Sequence, residues 1–238
     1  DPQDRLTVSW AMRYGKPDIA QQLRALQQAG CERILLAPLY PQYSATTTAT
    51  VNDKAFETLG ELRWQPALRV LPPYHDHPAY IGAVADSIAD YLATCDQPPD
   101  AVLASFHGLP EENLRKGDPY YCHCAKTTRL LRERLGLDEN RLRLTFQSRF
   151  GPKQWLQPYT DKTIEALAQQ GARHIAVVMP GFAADCLETI EELGIQNRDL
   201  VLQHGGRRYD IIPCLNDSAA GIDMLAALVR QELAGWLT

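Results

Sequence analysis

The sequence lacks any apolar run of about 18 residues, the length that a transmembrane helix requires. It also lacks a basic stretch followed by an apolar one near residue 1, which is the pattern of a signal peptide. These absences do not favour a membrane-spanning or secreted protein, and we expect a cytoplasmic one. Residue 1 is Asp rather than Met and an apolar segment follows closely, so we also expect a fragment of a longer chain.

Two further kinds of motif are missing. Neither GxGxxG nor GxxxxGK[ST] occurs, so the glycine-rich loops that commonly bind nucleotide phosphates are absent. The spacing of the cysteines indicates no disulfide framework, and we expect reduced thiols. These cysteines are Cys31, Cys95, Cys122, Cys124, Cys186 and Cys214.

Charge is unevenly distributed along the chain. The net charge of −5 argues against general affinity for nucleic acid. Residues 115–153 nevertheless carry ten Lys and Arg against four Asp and Glu, so this segment is +6 and the remainder is −11. The simplest interpretation is a solvated helix face, and the alternative is peripheral contact with an anionic partner or membrane.

Short apolar runs alternate with amphipathic stretches from one end of the chain to the other. The predicted strands are Leu6–Trp10, Arg33–Pro38, Ala67–Leu71, Ala101–Phe106, Arg141–Phe146, His174–Met179 and Asp210–Pro213. Helical spacing predicts one amphipathic helix over residues 78–93 and another containing Leu225, Leu228, Val229, Leu233 and Trp236. Such alternation predicts an α/β fold with parallel sheets flanked by helices.

The segment 94–100, TCDQPPD, is the best candidate for a domain boundary, because paired prolines and polar residues interrupt both helices and strands. It predicts one α/β domain over residues 1–95 and a second over residues 96–215. Residues 216–238 then form a C-terminal helix.

Ligands of open parallel sheets bind beyond the carboxyl ends of the strands, so the segments that follow the strands are the first place to look for a site. Four of these segments are unusual: AMRYGKP, LYPQYSATTTAT, HGLP and PGFAADCLETIEEL. Together they bring a cation, phenols, hydroxyls, an imidazole and a carboxylate to the strand ends.

His107 ends an apolar strand and is followed by Gly108. It is either a structural histidine bonded to a loop carbonyl, or a proton acceptor or metal ligand, since imidazole serves in both roles near neutral pH. We expect Gly108 to leave room for a bulky ligand. Asp185 and Glu188 have the spacing of a helix-capping box, but Glu188 is also placed to hold a divalent cation or relay protons.

The other strand-end residues have similar alternatives. Arg13 and Tyr14 are either a solvated cation beside a packed ring or part of a site, and the loop with Tyr43 and Ser44 either begins a helix or lines a polar rim. Two further clusters predict no metal site: Cys122 and Cys124 lack the usual spacing and a second pair, and His75 and His77 precede a helix that begins at Pro78.

Six motifs in order are similar to those of bacterial ferrochelatases, and the similarity covers essentially the whole chain. They are SWAMRYGKP, LAPLYPQYSATTT, PPYHDHPAYI, SFHGLP with GDPYYCHC, TFQSRFGPKQWLQPYTD and PGFAADCLETIEEL. The resemblance implies insertion of Fe²⁺ into protoporphyrin IX to form protohaem in haem biosynthesis. It also implies two Rossmann-like domains with the porphyrin between them and a C-terminal helix that returns to the first domain.

Site residues follow from the same resemblance. His107 matches the family's active-site histidine and Glu188 its partnering acid, and both are candidate iron ligands. Arg13 and Tyr14 match residues on the metal side of the pocket. The remaining matches are Tyr43 and Ser44 in a pocket loop and Trp155 beside the macrocycle. Whether His107 binds iron or accepts the pyrrole proton stays open.

The chain also departs from parts of the family. Animal members hold an iron–sulfur cluster through a cysteine in the loop where this chain has Ala45, so we expect no cluster and no permanently bound cofactor, with Fe²⁺ as a substrate. Family members are longer at the N-terminus, and we expect a chain of only these residues to fold poorly there and show little activity. The alternatives are a chelatase for coproporphyrin III or another tetrapyrrole, or a non-catalytic two-domain binding protein.

Overall fold

The structure, a computed structural model, describes residues 6–237 and contains two compact units. Within these residues, the smaller unit comprises residues 6–39, 43–73 and 225–237, and the larger comprises residues 40–42 and 74–224. The strands are β1 (Arg33–Leu36), β2 (Ala67–Val70), β3 (Ala101–His107), β4 (Leu142–Gln147), β5 (His174–Val178) and β6 (Arg208–Ile212). The helices are α1 (Ile19–Gln28), α2 (Thr48–Gly60), α3 (Pro78–Ala93), α4 (Glu111–Arg115), α5 (Tyr120–Leu135), α6 (Thr160–Gln169), the π-helix (Glu188–Gln196), α7 (Asn197–Gln203) and α8 (Ala219–Glu232).

The smaller unit is built on the parallel pair β1 and β2, with α1 packed against α2. Helix α1 begins where Asp18 accepts a hydrogen bond of 2.7 Å from the backbone amide of Gln21, which satisfies an amide that the helix itself leaves unpaired. Ile19 and Leu23 are the buried residues of α1, at the i, i+4 spacing of one helix face.

Two arginines hold the turn that follows α8 in the smaller unit. Arg69 on β2 donates hydrogen bonds to the carbonyls of Glu232 and Ala234, and its guanidinium lies 4.1 Å from the ring centroid of Trp236. Arg33 on β1 donates to the carbonyl of Trp236 at 3.1 Å. These contacts satisfy carbonyls that the end of a helix leaves free. The end of the last helix is therefore fastened to β1 and β2.

The larger unit contains a parallel sheet with the strand order β4-β3-β5-β6. One face of β3, represented by Ala101 and Leu103, packs into a cluster with buried residues of α6, the π-helix and α7. Side chains alternate along a strand, so Val102 and Ala104 face the opposite side, and both are buried. Because the four strands are parallel, their carboxyl ends share one edge of the sheet.

The predicted α/β fold with parallel sheets flanked by helices is confirmed, and six of the predicted strands are present. The predicted strand Leu6–Trp10 is wrong, because the described residues 6–10 form no strand. Val8 and Trp10 are 85% and 67% exposed, and no described strand pairs with them. An apolar run becomes a strand only when a neighbouring strand receives its backbone hydrogen bonds.

Helix α3 belongs to the larger unit, so the expected boundary at residues 94–100 lies inside that unit. Two tyrosines of α3 explain this arrangement. Tyr80 donates to the carbonyl of Pro180 at 2.6 Å, and Tyr91 donates to Asp210 on β6 at 2.6 Å. The prolines of residues 94–100 connect α3 to β3 within one unit rather than joining two domains.

Carboxylates pair with most of the cations in the basic segment 115–153. The paired cations are Arg115, Lys116, Lys126, Arg129, Arg134, Arg149 and Lys153. Exposed ion pairs contribute little stability, but they reduce the field that a partner would experience. Among the described helices, none is long and apolar enough to cross a bilayer.

A pair of stacked histidines predicts acid sensitivity of the larger unit. The rings of His75 and His123 lie 3.6 Å apart and are nearly parallel. Burial, reinforced by repulsion from His123, lowers the pKa of His75 to about 4. Since the unfolded imidazole titrates near 6.5, the unfolded state binds more protons between these values, and stability falls as the pH falls through this window.

We expect the free energy of unfolding to drop by up to about 3 kcal/mol between pH 6.5 and pH 4 through this histidine pair. Urea denaturation at several pH values measures the effect. The substitution His75→Phe keeps a flat ring in the stack and is expected to reduce the slope, whereas the control His204→Gln leaves it unchanged. An identical slope in His75→Phe contradicts this assignment.

Candidate active site

His107 is the last residue of β3 and lies at the carboxyl edge of the sheet beside Gln147 of β4. Its Nδ1 is 2.7 Å from the carbonyl oxygen of Gly108. Because a carbonyl only accepts hydrogen bonds, this contact assigns the ring hydrogen to Nδ1. The neutral imidazole therefore carries a free lone pair on Nε2, which suits a proton acceptor or a metal ligand.

Gly108 allows β3 and β4 to approach closely at this edge. Its amide donates to the carbonyl of Gln147 at 2.7 Å, and a Cβ on Gly108 would lie 2.7 Å from that same oxygen. The Cβ would also lie 3.2 Å from Cε3 of Trp155. The expectation that Gly108 leaves room for a ligand is wrong, because the space is filled by backbone and by an indole ring.

We expect Gly108→Ala to lower the free energy of unfolding by about 1–3 kcal/mol, since backbone atoms cannot move away as a flexible side chain would. Thermal and urea denaturation measure the loss. Gly117→Ala is unsuitable as a control because its φ is +93°, so Gly60→Ala, which has open space around it, is the matched variant. Equal stability of Gly108→Ala and Gly60→Ala would refute the close approach.

Two aromatic residues stand next to His107. The ring centroid of Phe150 is 6.4 Å from that of His107 and 5.1 Å from that of Trp155. Trp155 is only 8% exposed, and its indole nitrogen donates to the carbonyl of Phe150 at 3.0 Å. Phe150 is 66% exposed. Trp155 thus packs against the more exposed Phe150. The predicted contact of Trp155 with a macrocycle stays a prediction.

Glu188 begins the π-helix that follows β5, and its carboxylate accepts a hydrogen bond of 2.9 Å from the thiol of Cys186. This bond is the main cause of a lowered pKa of Glu188, with smaller contributions from its own backbone amide and from the nearby His107. Glu188 is therefore ionised at neutral pH. The two predicted catalytic residues follow neighbouring strands, since His107 ends β3 and Glu188 lies in the segment after β5.

The predicted capping role of Asp185 and Glu188 is wrong. The amide of Cys186 donates to the hydroxyl of Thr189 at 2.9 Å, so Thr189 supplies the side chain that closes the first turn. Neither acidic side chain bonds a backbone amide of that turn in the way a capping box requires. The carboxylate of Glu188 is consequently left available on the exposed side of the helix.

A second carboxylate lies four residues further along the π-helix. Glu192 accepts hydrogen bonds from the backbone amide of Ser148, at 2.8 Å, and from its hydroxyl. Ser148 follows β4 and has a φ of +59°, a left-handed conformation that turns both donors towards the helix. A π-helix has more than four residues per turn, so Glu188 and Glu192 lie on one side of it.

The remaining predicted site residues belong to the smaller unit. The guanidinium of Arg13 lies 4.5 Å from the ring centroid of Tyr14, and its Nε donates to the carbonyl of Thr50 at 2.9 Å. Ser44 is fully buried and accepts a hydrogen bond of 3.1 Å from the amide of Thr46. Tyr43 is half-buried. The substrate-binding roles of these four predicted residues stay predictions.

The side chains of the two clusters that were expected to hold no metal lie in separate environments or cap a helix. Cys122 is exposed whereas Cys124 is fully buried, so their thiols do not share one environment. His77 caps α3 by accepting a hydrogen bond from the amide of Ala79 at 3.2 Å, as the polar turn before Pro78 predicts. Within residues 6–237, no group of three or more His, Cys, Asp and Glu is arranged to hold a metal ion.

Comparison with known proteins decides the family. A family model described as ferrochelatase matches residues 2–233. The chain belongs to the ferrochelatase family. A ferrochelatase of Rhizobium meliloti (strain 1021) is 61% identical over 235 residues, which make up 99% of this chain and 69% of that protein. A ferrochelatase of Agrobacterium fabrum (strain C58 / ATCC 33970) is 59% identical over 232 residues, covering 98% of this chain and 67% of the relative.

Membership in the ferrochelatase family confirms the predicted enzyme class, a metal chelatase of haem biosynthesis. It does not support the alternative of a non-catalytic binding protein. Among solved structures, SirB from Bacillus subtilis with Fe³⁺ has a TM-score of 0.65 at 12% identity, covering 97% of this chain and 84% of that chain. A sirohydrochlorin chelatase SirB in complex with cobalt has a TM-score of 0.60 at 11% identity, covering 91% and 76%. These two likenesses concern the fold.

Sequence reasoning missed several residues that surround the ferrochelatase candidates His107 and Glu188. Phe150, Cys186 and Glu192 contact or flank them, yet none was singled out. Glu192 was detectable, because ETIEE places acidic residues four apart after a strand. The contact of Cys186 with Glu188 depends on side-chain directions that spacing alone does not specify.

Proposed function

We propose that the protein inserts Fe²⁺ into protoporphyrin IX, giving protohaem and releasing two protons. One observation carries the proposal, the placement of an imidazole with a free Nε2 lone pair near an ionised carboxylate at the carboxyl edge of the larger sheet. Porphyrin metallation removes two pyrrole protons, so it needs a base at the macrocycle. The membership of the chain in the ferrochelatase family supports the same reaction.

His107 is the proposed acceptor of the two pyrrole protons, which it takes up one at a time at Nε2, passing the first on to solvent before it accepts the second. The carbonyl of Gly108 holds the Nδ1 hydrogen, so a proton taken up at Nε2 gives an imidazolium whose other hydrogen is already bonded. Glu188 then stabilises this cation because its own carboxylate is ionised. A direct role of His107 as an iron ligand is the second possibility, since imidazole and carboxylate both bind Fe²⁺.

The surface around Glu188 suits an apolar macrocycle. Leu187 and Ile190, on either side of Glu188 in the chain, are 72% and 59% exposed, and Phe150 beside His107 is 66% exposed. Large exposed apolar side chains close to polar catalytic groups indicate a binding surface rather than ordinary solvent contact. We infer that one face of the porphyrin rests on these side chains while its nitrogens face His107.

The reaction is tested by mixing the full-length protein, rather than a chain of these 238 residues alone, with Fe²⁺ and protoporphyrin IX without oxygen and following the porphyrin absorption spectrum. We expect conversion to the protohaem spectrum at a rate proportional to protein concentration. Coproporphyrin III and cobalt-accepting tetrapyrroles are supplied in parallel, since either is an alternative substrate. A rate with protoporphyrin IX that equals the protein-free rate would overturn the proposal, and a faster rate with another tetrapyrrole would reassign its substrate.

We further propose that the protein works in the cytoplasm without an iron–sulfur cluster and with only weak peripheral contact to membranes. The different environments of Cys122 and Cys124 support the absence of an iron–sulfur cluster at these two residues. The pairing of most cations in residues 115–153 with carboxylates supports weak membrane contact. Sedimentation with vesicles of an anionic phospholipid tests it, and strong binding that persists at high salt would contradict it.

A further inference from the structure

The segment that carries Glu188 is tied to the loop between β6 and α8. The amide of Asp185 donates to Oδ1 of Asn216 at 2.8 Å, and Nδ2 of Asn216 donates back to the Asp185 carboxylate at 2.7 Å. Nδ2 also donates to the carbonyl of Cys214 at 3.1 Å, and the Asn216 amide donates to the carbonyl of Ala183 at 3.1 Å. Because β5 and β6 are neighbours in the sheet, these bonds join the loops at their carboxyl ends.

Asn216 has a backbone conformation that few residues adopt without strain. Its φ is +49°, in the left-handed region where Asn and Gly are favoured. Both polar atoms of its side chain are used in the contacts with Asp185 and Cys214. Asn216 therefore supplies both the turn and the hydrogen bonds that fasten the neighbouring segment.

The contacts continue from Asp185 to the carboxylate of Glu188. The hydroxyl of Thr189, which is 1% exposed, lies 3.1 Å from Oδ1 of Asp185 and accepts a hydrogen bond of 2.9 Å from the amide of Cys186. The backbone of Cys186 is thereby held, and its thiol donates to Oε2 of Glu188 at 2.9 Å.

We propose that Asn216, Asp185, Thr189 and Cys186 form a positioning chain that fixes the direction of the Glu188 carboxylate at the carboxyl edge of the sheet. The inference rests on the proposed function of Glu188 and adds four positioning residues to it.

An exposed glutamate needs such a chain because its side chain has several accessible rotamers. Glu188 is exposed at the start of the π-helix, where solvent alone would not select one direction for the carboxylate. A hydrogen bond to a charged acceptor is among the stronger ones in proteins, so the thiol can select the observed direction. The thiol can do so only if its own backbone is fixed, which is the contribution of Thr189, Asp185 and Asn216.

Kinetics of two cysteine variants test the last link. We expect Cys186→Ala to lower kcat for porphyrin metallation by about tenfold while KM for the porphyrin changes by less than about twofold, because the carboxylate is misplaced but the binding surface is intact. Cys186→Ser keeps a donor and is expected to restore kcat to within about threefold of the parent. Cys122→Ala, an exposed cysteine on α5, is the control. Unchanged kcat in Cys186→Ala overturns the proposal.

A double variant separates positioning from general stability. If Cys186 acts through Glu188, adding Cys186→Ala to Glu188→Gln causes no further loss of kcat, whereas independent effects multiply. Asn216→Gly keeps the left-handed turn but removes the amide, and we expect it to lower kcat by about tenfold without a change in KM. Asn140→Gly, in an exposed loop, is its control. Multiplicative losses in the double variant overturn the proposal.

An infrared measurement makes the test independent of turnover. The S–H stretching band of Cys186, isolated as the difference between the parent and Cys186→Ala, is expected at the low frequency of a thiol bonded to a carboxylate. It should move to higher frequency in Glu188→Gln, because a neutral amide is a weaker acceptor. If the frequency of the band is the same in Glu188→Gln as in the parent, the positioning chain is refuted even in an active protein. If the band moves to higher frequency as expected but the protein does not metallate porphyrin, only the proposed function is refuted.

Discussion

His107→Ala is expected to reduce kcat for iron insertion by about a hundredfold to ten-thousandfold, the range typical for loss of a general base. The physical reason is the fixed tautomer: the carbonyl of Gly108 holds the Nδ1 hydrogen and leaves Nε2 as the basic atom. Alanine removes that atom, and the pyrrole protons must then leave to water. The measurement is the anaerobic conversion of protoporphyrin IX to protohaem, followed by absorbance.

Several comparisons make the His107 result decisive. His204→Ala removes a half-buried histidine at the end of α7 and is expected to keep the parental rate. Denaturation of both variants shows whether they are folded. A folded His107→Ala variant with the parental kcat would exclude His107 as a proton acceptor and as an essential iron ligand. If the variant instead loses activity, titration of Fe²⁺ binding by His107→Ala separates the roles of proton acceptor and iron ligand. Loss of a pure proton acceptor leaves the iron affinity unchanged.

Glu188→Gln is expected to lower kcat by about tenfold to a hundredfold with little change in stability. The thiol of Cys186 lowers the pKa of Glu188, so the parental protein presents a carboxylate charge near His107 at neutral pH. Glutamine has the same shape and still accepts the thiol hydrogen, but it neither stabilises an imidazolium nor takes up a proton. Steady-state kinetics with both substrates varied measures the effect, and kcat is expected to fall more than KM rises.

Glu191→Gln provides the matched control for the charge. Glu191 is an exposed glutamate of the same π-helix and accepts a hydrogen bond from Gln196 at 2.7 Å. The two variants change net charge equally, so any difference between them reflects position. If Glu191→Gln and Glu188→Gln lose activity to the same extent, the charge of the helix as a whole matters and the specific role of Glu188 is wrong.

Much of the larger sheet was predictable because its signals are local. The run AVLASF in β3 and the run HIAVV in β5 are short, mostly apolar and preceded by a charged residue, and both are strands in the structure. The run Leu6–Trp10 carries a similar signal but is not a strand, because strand formation depends on a neighbour that a local pattern does not supply.

The candidate site was likewise predictable only in part from the sequence. Placing His107 and Glu188 after two strands required only the strand pattern and the rule that ligands bind at carboxyl edges. That these strands, β3 and β5, are neighbours came from the structure. Assigning the bond between Cys186 and Glu188 required coordinates, because a side chain in the first turn of a helix can turn in several directions. The bond from Ser148 to Glu192 joins residues 44 apart, and no periodicity connects them.

The sequence by itself determined the alternation of strands and helices, the position of His107 at the end of a strand, and the resemblance to ferrochelatases. Only the tertiary structure decided that Nε2 of His107 carries the lone pair, that Gly108 serves close strand packing, and that Cys186 and Thr189 arrange the surroundings of Glu188. The physical reason is the distance along the chain over which each kind of interaction acts. Periodicity and turn chemistry act over a few neighbouring residues, whereas tautomers, close approaches and side-chain hydrogen bonds depend on which segments the fold brings into contact.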